Sequence, residues 1–129
     1  MSESNSETVE EYPHNCQIVR ERVEGSEDRY HFEGPLGRIK SFENPDKARL
    51  YADVYEVVGG FREEKTGERG VPPAVARSRE DVLMAYLAAQ PTMSVTYVAR
   101  AFDLDEDEVR GYIEMVQDRA AEMREEDEE

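Results

Sequence analysis

Hydrophobic positions recur along this chain with two different periods, and the change between them divides it. Cys16 and Ile18 alternate with polar residues, Val23 is a further candidate for the same inner face, and Glu24-Gly25-Ser26-Glu27-Asp28 reads as a turn. Tyr30 and Phe32 alternate next, Gly34-Pro35 interrupts, and the alternation resumes from Arg38 to Phe42 through Ile39 and a polar Ser41. The spacing predicts two or three short antiparallel strands within residues 16–42. From Asn44 the period lengthens. Asn44-Pro45-Asp46 supplies a capping side chain, a proline for the first helical position and an acid facing the positive helix end. The helix is predicted over 45–58, where Gly59-Gly60 ends it. Ala48, Tyr51, Tyr55 and Val58 form one stripe, and Leu50, Val54 and Val57 a second. So broad a band predicts contact on two sides, with the strands and with the later helices.

Residues 59–77 hold several glycine and proline breaks and no period, which predicts a long loop. Ser78-Arg79-Glu80-Asp81 has the form of a capping box, with Asp in the reciprocal place. Val82, Leu83, Tyr86 and Leu87 then line one helix face as far as Gln90-Pro91. A second helix is expected near Ser94 and a third near Asp105. The third carries Val109, Tyr112 or Ile113, Val116, Ala120 and Met123 at helical spacing and dissolves into an acidic tail, 125–129. Met1–Pro13 is acidic and aperiodic, which predicts disorder. The expectation is one α+β domain over 14–124: a short antiparallel sheet and a helix, followed by three helices.

Residues 95–114, VTYVARAFDLDEDEVRGYIE, carry the most specific pattern. It resembles the twenty-residue unit of helix-turn-helix, winged-helix-like DNA-binding regulators. That unit wants apolar residues at its fourth, eighth, tenth, fifteenth and eighteenth places and a small one at its fifth. Val98, Phe102, Leu104, Val109, Tyr112 and Ala99 stand there. Its ninth place usually holds a glycine in a left-handed backbone. Asp103 occupies it here, a residue that tolerates that region better than most. The resemblance implies DNA as partner. Thr96, Arg100 and Arg110 are the candidate contacts on the two helices, and Arg62, Lys65 and Arg69 in the preceding loop form a candidate basic arm. A homodimer through the last helix, using Val116, Ala120 and Met123, is a further expectation. Packing of those residues onto the strands stays open.

Charge complicates this picture. The chain has 129 residues and a net charge of −15, from 31 acids and 16 bases. With 1–12 and 118–129 set aside, 20 acids still face 14 bases. The bases are 13 Arg and three Lys, and Trp is absent. Abundant acids and scarce Lys resemble the proteins of extreme halophiles, haloarchaeal ones among them. There the Debye length, about 3 Å at 1 M salt, lets carboxylates crowd. The outward places of the third helix are Asp105, Glu106, Asp107, Arg110, Gly111 and Glu114. In dilute salt those acids would repel a phosphate backbone. Asp105–Glu108 are equally suited to capping their own helix. Two alternatives therefore stand beside the regulator: a protein-interaction adaptor that keeps the helical core, and an acidic DNA mimic.

Other chemistries find little support. His14, Cys16 and His31 match no zinc spacing, so neither a metal nor another cofactor is expected, and Cys16 reads as a small buried apolar residue. No Ser-His-Asp set, phosphate-cradling loop or H-E-x-x-H pattern is legible, which predicts a non-enzyme. Met1–Glu11 has no signal-peptide character and no apolar run spans a bilayer, so a cytoplasmic protein without a membrane partner is expected.

Overall fold

Antiparallel pairing of four consecutive segments produces a meander, with strand order β1-β2-β3-β4. The strands are β1 (Ser6–Tyr12), β2 (Cys16–Glu21), β3 (Arg29–Gly34) and β4 (Gly37–Phe42). The computed structural model describes residues 6–22, 24–25, 27–61 and 72–127. Helices α1 (Pro45–Val57), α2 (Pro73–Ala76), α3 (Glu80–Ala88), α4 (Val95–Phe102) and α5 (Glu106–Asp127) follow. The protein is thus an α+β fold. It divides into two compact units, Met1–Arg49 and Leu50–Glu129, with the boundary inside α1.

In the first unit the period-2 pattern decides which side chains are enclosed. Ile18 lies opposite Phe32, and Cys16, Ile18, Phe32 and Phe42 are buried on one face. Tyr12 meets Phe32 edge-on, ring centroids 6.2 Å apart. That contact belongs to a strand the sequence hides. Residues 6–12 were expected to be disordered, yet they pair with β2 from Ser6↔Glu21 to Tyr12↔Cys16, with a bulge between Thr8 and Glu10. Two of the acids that suggested disorder have cationic partners: Glu7 pairs with Arg20, and Glu10 with Arg49 at 3.3 Å. The β3–β4 loop is two residues, Pro35-Leu36, closed by Gly37 at φ 120°, a conformation that suits glycine.

The start of α1 follows the sequence expectation. Asn44 Oδ1 accepts from the backbone N–H of Asp46 at 2.7 Å and of Lys47 at 3.4 Å. At its far end Gly59 and Gly60 both have positive φ, and the Gly60 N–H donates to the Tyr55 carbonyl at 2.8 Å.

In the second unit Tyr51, Phe61 and Tyr86 form an aromatic cluster with centroids 5.7–6.1 Å apart. α3 packs along α5 and touches α4. The seam holds Met84, Ala85, Val98, Ala99, Val109 and Val116, all buried. Each buried valine contributes about 1.5–3 kcal/mol relative to exposure. Three expectations need correction. Within 59–77 the chain forms one helical turn, α2, because Pro73 presets the backbone for it. The capping box at Ser78 does not form: Ser78 Oγ donates to the Ala74 carbonyl at 2.7 Å, and Arg79 takes the N-cap place without a side-chain bond. The last helix does not dissolve at 125; it runs through Asp127.

Candidate nucleic-acid interface

α4 is short and sharply bounded. Ser94 Oγ accepts from the Tyr97 N–H at 3.2 Å, and Asp103 ends the helix in the left-handed region, φ 57° and ψ 48°. That conformation turns the chain, and α5 begins three residues later. Glu108 Oε1 accepts from the Asp105 N–H at 3.2 Å, the reciprocal arm of a capping box. Both helices rest against α3. Two helices joined at a left-handed aspartate and seated on the helix before them is the arrangement the spacing predicts.

The apolar assignments need one change. Val98, Ala99 and Val109 are enclosed and Phe102 and Leu104 are half-buried, but Tyr112 is exposed and Ile113 takes its place. The buried series Val109, Ile113, Val116, Ala120 keeps steps of four and three, which hold one stripe at about 100° per residue. Tyr112 lies one residue outside it. Val116 and Ala120, expected at a dimer contact, are buried within the chain. The large apolar residues left exposed in this region are Tyr97, Tyr112 and Met115.

Of the three candidate contacts among the described residues, Thr96 and Arg110 share one partner, Glu106. Thr96 Oγ1 donates to Glu106 Oε2 at 2.9 Å, and Glu106 Oε1 receives Arg110 at 3.2 Å. Arg110 also reaches Asp107 at 3.4 Å. Its charge is thereby matched by two carboxylates of its own helix. Arg100, one turn after Thr96 on α4, is exposed and has no ion pair among the described residues. Arg62, Lys65 and Arg69 lie outside the described residues. Asp105, Asp107, Glu108 and Glu114 are exposed, so the start of α5 presents an acidic face.

The sheet contains a cluster that the sequence reading excluded. His31, only 2% exposed, bridges Ser41 Oγ through Nδ1 at 2.7 Å and Glu21 Oε1 through Nε2 at 2.8 Å. The hydrogen bond from His31 holds the Glu21 carboxyl below its ordinary value. With Glu21 ionised, Nε2 carries the proton toward it. No motif announces this set because cross-strand register assembles it: His31 lies opposite both Val19 and Ser41. The chain of bonds satisfies a buried imidazole and ties three strands. Cys16 is buried, its Sγ 3.8 Å from the His14 carbonyl oxygen. Among the described residues no three His, Cys, Asp or Glu side chains converge as a metal site, and no helix is long and apolar enough to cross a membrane.

Comparison of the chain with family models, with curated proteins and with solved structures returned no match. Its function is therefore argued from its own geometry.

Proposed function

We propose that the helical unit is a DNA-binding helix-turn-helix regulator that works in the cytoplasm of a halophile, where salt is concentrated. The observation that carries this reading is the left-handed Asp103 between α4 and α5, with both helices seated on α3. In molar salt the acidic start of α5 is not disqualifying. Affinity from phosphate contacts falls with a slope near −0.9 per contact, so bases gain little there, and screened acids lose little. Readout then rests on hydrogen bonds and shape, and Asp or Glu can accept from cytosine N4. Thr96, Arg100 and Arg110 remain the proposed contacts. A two-fold dimer would use exposed Tyr112 and Met115 rather than enclosed Val116 and Ala120.

The test is binding to a pool of genomic fragments in about 2–4 M KCl, where acid repulsion is screened. A sequence-selective complex weakened by Thr96→Ala and Arg100→Ala is expected, and its absence overturns the reading. One observation favours a second reading, an adaptor for another protein: Glu106 and Asp107 already neutralise Arg110. A stoichiometric protein partner that binds in the same salt, with DNA ignored, would establish that alternative.

A further inference from the structure

We propose that a groove in the helical unit, distinct from the acidic start of α5, binds a small organic acid: one carboxylate on an apolar body. The groove has a volume of about 310 Å³, at the lower end of small-molecule sites. Its apolar lining includes Val57, Val82 and Val116, from the end of α1, from α3 and from α5. Arg77, Arg79 and Arg119 line the same space. Valines toward an interior and guanidinium groups nearer solvent make an amphipathic receptor.

The ionic state of those arginines carries the inference. In a chain with 31 acids against 16 bases, an arginine readily finds a carboxylate. Arg77 and Arg119 have no ion pair among the described residues. Arg79 has only a long one, Nε to Asp81 Oδ1 at 3.8 Å. Local spacing explains part of this. The positions three and four residues before Arg119 are Met115 and Val116, and those before Arg77 are Ala74 and Pro73. Asp81, the one acid lining the groove among the described residues, accepts from the Val82 N–H at 2.8 Å and offsets one of the three charges. About two positive charges remain beside an apolar cavity.

A guanidinium pairs with a carboxylate through two parallel hydrogen bonds, a directional contact that outlasts the screening of diffuse charge. Burying the apolar body adds a contribution that strong salt does not weaken. Neither half of such a ligand uses the groove alone: acetate lacks the body and octanol lacks the charge.

The experiment is calorimetric titration of the full chain with sodium octanoate in about 1 M KCl, where non-specific charge attraction is screened. Acetate, octanol and octyl phosphate are titrated alongside. Saturable binding of one octanoate per chain is expected, with acetate and octanol at least tenfold weaker. The double variant Arg77→Gln/Arg119→Gln should weaken octanoate at least tenfold while keeping its circular dichroism spectrum, and Arg22→Gln, just past β2 in the other unit, should change nothing. No saturable heat, or equal affinity in the double variant, overturns the site. Tighter binding of octyl phosphate than of octanoate overturns the carboxylate assignment. The DNA-binding assay uses no organic acid, so either idea can fail alone.

Discussion

Arg110 and Arg119 stand on the same helix nine positions apart, and their surroundings are opposite in character. Arg110 follows Glu106 by four residues and Asp107 by three, and it reaches both. Arg119 follows Met115 and Val116 at those spacings and makes no ion pair among the described residues. The first two turns of α5 therefore spend their cation internally and present acid outward. The middle of the helix keeps its cation for whatever enters the groove. Arg124 completes the series: its Nη1 reaches Asp53 Oδ1 at 2.9 Å and Glu56 Oε1 at 2.8 Å. Burial opposes its charge, and the two carboxylates outweigh that and raise its already high pKa.

The contrast can be broken one side chain at a time. Arg124→Ala should have the largest effect. Asp53 and Glu56 side chains are only 10% and 8% exposed, so the substitution takes a guanidinium away from two carboxylates in a poor solvent. A loss of about 3 kcal/mol is expected by urea denaturation, at the low end for a broken buried pair because Arg124 itself is partly exposed. Gly111→Ala should act in the other direction. Gly111 lies inside α5 with nothing within 4 Å of an added Cβ, so alanine should stabilise by roughly 0.5–1 kcal/mol. If the start of α5 docks closely on DNA, the same variant should bind its fragment more weakly despite the gain. Arg110→Ala removes exposed pairs and should cost no more than about 0.5 kcal/mol.

Glu21 supplies a carboxylate whose partner is an imidazole instead of a guanidinium. Because its pKa is depressed on folding, its contribution is present above 4.5 and is lost as pH falls through the folded value. Denaturation across roughly pH 3–7 should show wild type ahead of Glu21→Gln near neutrality, with the gap closing in acid. A gap that widens in acid would reverse the sign assigned here.

How far the sequence could be read depends on whether a feature was local. The Asn44 cap, the helix start near Ser94 and the left-handed Asp103 are decided within a few residues, and the spacing predicts all three. Strand β1 escaped because its ladder with β2, its Tyr12 contact with Phe32 and the Arg20 and Arg49 partners of Glu7 and Glu10 all come from residues outside the strand. The Ser41, His31 and Glu21 chain escaped because register, which no single strand reveals, assembles it. Ser78 misled because a neighbouring turn, α2, used the hydroxyl first. Of the candidate interface, Thr96 and Arg110 were legible. That a glutamate joins them, and that Arg77 shares a groove with Arg119, required three dimensions.

The clamp on Asp53 also sets an order of events during synthesis. Arg124 emerges from the ribosome 71 residues after the carboxylate it neutralises. Until then a nascent chain that packs α1 must bury Asp53 and Glu56 without the guanidinium that joins them, or leave that helix half-docked. The second unit should therefore finish folding only once Arg124 has emerged, in one late step, rather than helix by helix as translation proceeds.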